Sequence, residues 1–257
     1  MVPPNSDTVQ VALVLRDVTE EQALRNLRAF FLANISHEFR TPLSTLNAGI
    51  ELLIDQADDL SPAEIRELLK PTSLSLHSLQ SLIDNLLESS SIEAGKFALR
   101  RRDVNLNDVM ADALTIVRPA VERRRQPVAV TEPANLPLLQ GDRARLTQAL
   151  ANLLTNASKY SPIGQPIDLN VSHANGTLRI AVADRGPGIS PEDRMNLFRR
   201  FMRLNAQVDE QYGIGLGLYL VKKIAEAHGG EVGVDDRPGG GAVFWMQLPL
   251  TGAEGVA

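Results

Sequence analysis

Apolar residues at Leu24, Leu27, Phe31, Ile35, Phe39, Leu46, Ile50 and Leu53 recur at spacings of three, four or seven, the period of one helix face. They predict a long amphipathic helix from about Thr19 to about Ala57, with Thr19 as its cap and Glu21 and Gln22 in the first turn. Asp58-Asp59-Leu60 reads as a turn. Ser61-Pro62-Ala63-Glu64 then starts a second helix with a capping serine, a proline at the first helical position and a glutamate at N3. Its stripe, Ile65, Leu68, Leu69, Thr72, Leu76, Leu79, Ile83 and Leu86, runs on to Glu93-Ala94-Gly95, where glycine can end it. Two such helices form an antiparallel hairpin that cannot cover both stripes by itself. Pairing with a second copy into a four-helix bundle, and so a homodimer, is expected.

From Phe97 the period changes to short strands alternating with helices. A helix is predicted from Val104 to about Arg124, a strand over 126–131 and a helix over 142–159. Strands over 167–172 and 178–183 are joined through Asn175-Gly176, a helix covers 216–228, and strands over 231–234 and 242–248 close around glycines 239–241. The fold class that results is multidomain: an all-α helical hairpin followed by an α/β sandwich, a mixed sheet with helices on one face. A further strand is predicted over 9–15. The domain map is 1–20 entry strand and linker, 21–97 hairpin, 98–252 α/β domain and 253–257 tail, with Gly95-Lys96-Phe97 as a hinge.

Composition narrows the chemistry. The 257 residues are 44% hydrophobic, ordinary for a globular chain, and carry 26 basic against 31 acidic side chains, a net charge of −5. No basic surplus exists to neutralise nucleic-acid phosphates, and the arginine runs at 100–102 and 123–125 read as solvated faces. Zero cysteines exclude disulfides and thiolate metal sites. No apolar run of about 18 residues and no signal peptide occurs, so the chain as given reads as a soluble, cytoplasmic region.

His37 and Glu38 are the first candidate chemistry. His37 lies at the edge of the apolar stripe, shares a face with Thr41, and has Glu38 about 100° round the helix, able to reach the imidazole without being buried with it. A neutral imidazole beside a carboxylate is a nucleophile with its own base. Pro42 predicts a bend one turn later. The string Phe31-Leu32-Ala33-Asn34-Ile35-Ser36-His37-Glu38-Phe39-Arg40-Thr41-Pro42-Leu43 resembles the H-box of two-component sensor histidine kinases. The resemblance implies that His37 is the phosphoacceptor, that Glu38 is its acid/base, and that Thr41 takes part in dephosphorylating a partner.

Four stretches of the second half resemble, in order, the motifs of the ATPase fold shared by histidine kinases, gyrase and MutL. In Asn152-Leu153-Leu154-Thr155-Asn156-Ala157-Ser158-Lys159-Tyr160, Asn152, Asn156 and Lys159 share a helix face, and an amide oxygen suits the hard cation Mg²⁺. The likeness to the N-box implies that Asn156 ligates Mg²⁺, that Asn152 and Lys159 serve the phosphates of ATP, and that Tyr160 packs on the nucleoside. Asp184-Arg185-Gly186-Pro187-Gly188-Ile189 resembles the G1 box, which makes Asp184 the reader of the adenine amino group, with Gly186 and Gly188 letting the backbone approach the ring. Leu197 to Arg203 resembles the F-box, with Met202 where a tyrosine is common and Arg203 placed for the terminal phosphate. Residues 204–212 read as a lid. Gly213-Ile214-Gly215-Leu216-Gly217-Leu218 resembles the G2 box, a glycine-rich anion site at a helix start, with Ile214 in place of the usual threonine.

In hydrolytic members of that fold a glutamate stands four residues before the Mg²⁺ asparagine. Asn152 holds that place here and cannot act as a general base, so the phosphoryl group is expected to go to His37 and then to an aspartate of a response regulator. The alternative is a kinase-inactive dimeric scaffold or regulator phosphatase that binds ATP; Ile214 is the substitution that favours it. Many histidine kinases are membrane-bound, so the resemblance also allows a longer, membrane-anchored protein, and LRDVTEEQ resembles the exit of a PAS sensor domain. His77 and His173 read as surface residues, and His228 as a favourable residue at a helix C-terminus.

Overall fold

The computed structural model describes residues 18–56, 59–202 and 214–250, with side chains described outside 19–34. The strand expected over 9–15, the tail, the lid, Arg203 and Gly213 all lie outside the described residues.

The first helix, α1, spans Thr19–Asp55 and runs on through Pro42. Val18 occupies its N-cap without a side-chain bond, so Thr19 is the first helical residue and not the cap. The second, α2, spans Pro62–Glu93 and begins on a complete capping box: Ser61 Oγ accepts from the Glu64 N–H, and the Ser61 N–H donates to Glu64 Oε2 at 2.8 Å. It ends as the glycine predicts. Gly95 sits at φ +66°, its N–H bonds the Ile92 carbonyl, and the Lys96 N–H bonds the Ser91 carbonyl at 2.9 Å, a Schellman closure. The two helices approach closely at Gly49, where a Cβ would lie 2.4 Å from Thr72 Oγ1.

Beyond the hairpin, β1 (Arg102–Val104) pairs antiparallel with β3 (Leu139–Gly141). Val104 is therefore a strand residue; the helix expected to open there, α3, runs Leu106–Arg123 behind an Asn105 cap. The main sheet has the order β2-β4-β5-β7-β6, from β2 (Val128–Thr131), β4 (Ile167–Ala174), β5 (Thr177–Ala183), β6 (Glu231–Asp236) and β7 (Ala242–Pro249). Only β2 with β4 is parallel, so the sheet is mixed. Helices α3, α4 (Arg143–Tyr160) and α6 (Gly217–Ala227) share one core with it. Along β7 the alternate residues Ala242, Phe244, Met246 and Leu248 enter that core, while Trp245 lies on the other face under the Arg179 guanidinium, 4.4 Å away. Leu146, Leu150, Ile167, Ile180, Leu220 and Ile224 are sealed from solvent. Each contributes roughly 1.5–3 kcal/mol of burial.

Two expectations fail for polar reasons. The arginines at 123–125 are not all solvated: half-buried Arg124 donates to the Ser161 carbonyl at 2.9 Å. With buried Gln126, which donates to the Ser158, Ser161 and Pro162 carbonyls, it holds the C-terminal end of α4. His228 stands at the C-terminus of α6, as expected, but not as a cation. It is buried, its Nε2 accepts the Asp142 N–H at 3.0 Å, and its Nδ1 donates to the Ile224 carbonyl at 2.7 Å, so the ring is neutral. Burial first, and then the Arg101 charge, push its pKa below the usual histidine value of 6.5. The unfolded chain thus takes up a proton at a pH where the folded chain does not. Stability is expected to fall as pH drops from about 6.5, and His228→Gln to flatten that slope in melts recorded across the range.

Candidate nucleotide and phosphoacceptor site

On α1, His37 is exposed and Glu38 is only 6% exposed. The two are not buried together: it is the carboxylate that is inside and the imidazole that faces out. The Thr41 hydroxyl lies 3.5 Å from the His37 carbonyl, one turn along.

In the α/β domain the sequence motifs converge. Asp184 follows β5 directly and is 3% exposed. Its Oδ1 accepts from the Gly186 N–H at 2.8 Å and from the Ala242 N–H at 3.1 Å, which leaves Oδ2 without a hydrogen bond among the described residues. Burial pushes the Asp184 carboxyl up, against the pull of those two N–H groups and of Arg237 and Arg185. Glycine is required on both sides of it. A Cβ on Gly186 would meet the Tyr160 carbonyl at 2.9 Å, and one on Gly241, at φ +97°, would meet the Asp184 carbonyl at 2.2 Å. Gly188 also has a positive φ, +79°. The Arg185 N–H donates to Ser161 Oγ at 2.9 Å, which ties the turn after β5 to the end of α4.

On α4, Asn152 and Asn156 are half-buried and Tyr160 is exposed, with the Lys159 ammonium 5.1 Å from the Tyr160 ring. Asn152 Nδ2 is buried and has no hydrogen-bond partner among the described residues. It lies against the start of α6: a Cβ on Gly217 would stand 3.7 Å from the Asn152 amide. Gly215, at φ +75°, accepts at its carbonyl from the Phe201 N–H, and a Cβ there would meet the Met202 carbonyl at 2.7 Å. Gly215, Leu216 and Gly217 thereby form a tight entry into α6 whose first N–H groups can face an anion. Asp184, Gly186, Gly188, Asn152, Asn156, Lys159, Tyr160 and the 215–217 turn thus belong to connected segments. His37, Glu38 and Thr41 stand on the hairpin.

The two domains touch. Phe201, Ile214 and Leu216 form a buried apolar cluster with Tyr219 and with Ile35, Leu82 and Leu86 of the hairpin. Around it Arg145 pairs with buried Glu88, Gln148 donates to Asn85 at 3.4 Å, and Arg200 pairs with Glu93. The Arg145 guanidinium also lies 5.2 Å from the Phe97 ring, and Phe97 packs on the α/β core. Phosphoryl transfer by itself requires the α/β domain to meet the hairpin; sequence reasoning missed which residues make that contact, and the roles of Ser161, Arg124 and Gln126. Ser161, Arg124 and Gln126 lie in no motif; Ile35, Phe201, Ile214 and Leu216 lie inside motif stretches, where nothing local shows that their side chains dock the domains. The short helix α5 (Pro191–Arg194), capped by Ser190, was also not anticipated.

A nucleotide-type α/β sandwich carried beside a helical hairpin with an outward-facing histidine defines a phosphotransfer class of protein. A model of the His Kinase A (phospho-acceptor) domain matches residues 27–95, and one of the histidine kinase-, DNA gyrase B-, and HSP90-like ATPase matches residues 141–252. The chain is 37% identical over 259 residues to the sensor protein GacS of Pseudomonas syringae pv. syringae, covering 97% of this chain and 28% of that protein. Among solved structures it is similar to the mycobacterial sensor histidine kinase MprB (31% identity, TM-score 0.50, 58% of this chain and 97% of that one). It is also similar to full-length ShkA in complex with AMPPNP (29% identity, TM-score 0.61, 86% and 46%). The chain belongs to the sensor histidine kinase family and carries its ATP-binding domain. It spans about a third of the length of the first of the curated relatives it matches. Among the described residues no helix is long and apolar enough to cross a membrane.

Proposed function

We propose that this chain is the catalytic core of a dimeric sensor histidine kinase, in which MgATP bound in the α/β domain phosphorylates His37 and the phosphoryl group then passes to an aspartate of a response regulator. The single observation that carries the reading is that the segment leading into α6 packs, through Ile35, Leu82 and Leu86, on the same hairpin that carries the exposed His37. Transfer needs an in-line approach between nucleophile and leaving oxygen. An imidazole nitrogen of His37 attacks the γ-phosphorus, the bond to the bridging oxygen breaks with its electron pair leaving on ADP, and the imidazole proton passes to Glu38.

Asp184 Oδ2 accepts from the adenine amino group in this reading, with the Gly186 and Gly188 backbone against the ring. The N–H groups of residues 215–217 hold phosphate oxygens, joined by Lys159 and by Asn152, whose orphaned Nδ2 fits a donor waiting for an anion. Tyr160 covers the nucleoside. Asn156 would hold Mg²⁺ through its amide oxygen, one of the few protein ligands to an ion that keeps several of its waters. When bound, Mg²⁺ would neutralise charge on the phosphates. Arg203 and Gly213 complete the phosphate contacts, and Thr41 serves dephosphorylation of the regulator. Residues 21–97 and 98–252 are the two working units. The exposed apolar residues Ile50, Ile54, Leu69, Leu76, Ile83 and Leu87 support pairing of two hairpins.

Incubation of the purified chain with γ-labelled ATP and Mg²⁺ tests the reading. Label that survives alkali and is lost in acid is expected; absence of label with nucleotide binding intact moves the assignment to the ATP-binding scaffold or phosphatase.

A further inference from the structure

Ile214 stands where the family pattern has a threonine, and the lost hydroxyl would be a defect if the position served phosphate alone. The structure gives the side chain another task. Ile214 is 6% exposed and sits with Phe201 and Leu216 in an apolar cluster separate from the main core, closed by Tyr219 and by Ile35, Leu82 and Leu86 of the hairpin. A threonine there would trade an ethyl group for a hydroxyl among aliphatic and aromatic carbon, where an unmatched hydroxyl is costly. Isoleucine fills that volume with carbon alone. The charged and amide pairs Glu88–Arg145, Glu93–Arg200 and Asn85–Gln148 also cross from hairpin to α/β domain, so the contact joins an apolar cluster with matched polar pairs.

We infer that Ile214 is a positioning residue that fastens the phosphate-binding turn onto the phosphoacceptor hairpin, so that it governs transfer to His37 and not affinity for ATP. The inference rests on the phosphotransfer reading of the same site. It also removes the motive for the kinase-inactive alternative, because the substitution at 214 becomes a gain of docking surface in place of a loss at the phosphates.

The test uses the whole chain. At saturating MgATP, Ile214→Thr is expected to slow phosphorylation of His37 about tenfold, the scale of losing one to two buried carbon groups from a contact, while ATP affinity measured by calorimetry stays unchanged; Ile214→Leu keeps both near wild type. Docking is read separately. Because the chain has no cysteine, Asn85→Cys with Gln148→Cys gives one pair across the interface for a short bis-maleimide, and adding Ile214→Thr is expected to slow that cross-link in parallel. An unchanged cross-linking rate, or weakened ATP binding with transfer intact, overturns the inference. Should Ile214→Thr fail to fold, Leu82→Ala on the hairpin side probes the same cluster, and an unchanged cross-link there overturns it equally. Should the wild-type chain take no label, the phosphotransfer reading fails while the cross-linking arm still decides whether Ile214 docks the domains.

Discussion

His37→Gln is expected to abolish label uptake from γ-labelled ATP, a loss of roughly three orders of magnitude or more, the scale on which removal of a nucleophile acts. Glutamine keeps polarity and approximate reach, yet its amide nitrogen is delocalised into the carbonyl and is a poor nucleophile, so the change takes out chemistry and little else. The rest of the molecule should not notice. His37 is exposed, and an exposed substitution on a helix surface typically changes stability by no more than about 0.5 kcal/mol. ATP affinity should be unaltered, because the proposed nucleotide contacts lie in the other domain. The measurement is therefore paired: label per chain, and nucleotide affinity by calorimetry, on both proteins. Label retained in the variant would move the acceptor to another side chain. Loss of both label and affinity would mean that the histidine supports the nucleotide site itself.

The parts of the fold legible in the sequence are those where local chemistry is sufficient. Ser61, Pro62 and Glu64 specify a helix start among themselves, and Gly95 a helix end, and both form as read. Three of the four nucleotide motifs are legible for a related reason: each is a short run in which glycine geometry or an i, i+4 face does the work, as the buried Asp184 between Gly186 and Gly241 and the half-buried Asn152 and Asn156 on one helix illustrate. What escaped depends on residues distant in sequence. Val104 pairs with Leu139 in a two-stranded ribbon too short to show a period. His228 looks like a helix-end cation until Asp142, far along the chain, presents an N–H to its Nε2. Glu38 looks exposed on a single helix, and its burial cannot be read from that helix's own pattern. Ile214 looks like a damaged motif position, and its docking partners Ile35, Leu82 and Leu86 are set by how the two domains meet.

Asp184→Asn is expected to weaken ATP binding by about 30- to 1000-fold, or about 2–4 kcal/mol, the cost of losing a charge-assisted hydrogen bond and leaving a buried polar group mismatched. The geometry makes the substitution sharp. The Asn side-chain oxygen can inherit the role of Oδ1, accepting from the Gly186 and Ala242 N–H groups, so the turn keeps its shape. The remaining position, Oδ2 in the wild type, then becomes an NH₂ that faces the adenine amino group, donor against donor. Acid has the same effect on the wild type by protonation. Because burial holds the Asp184 carboxyl above the usual aspartate range, protonation starts at a higher pH than for an exposed aspartate. Affinity for ATP in the wild type should therefore fall as pH is lowered toward that raised value, while Asp184→Asn, which has no proton to gain, should show weak and flat affinity over the same range. Calorimetric titrations at a series of pH values on both proteins decide it. Equal affinities at neutral pH would remove Asp184 from the role of adenine reader and leave its carboxylate as a clamp between the turn after β5 and the start of β7.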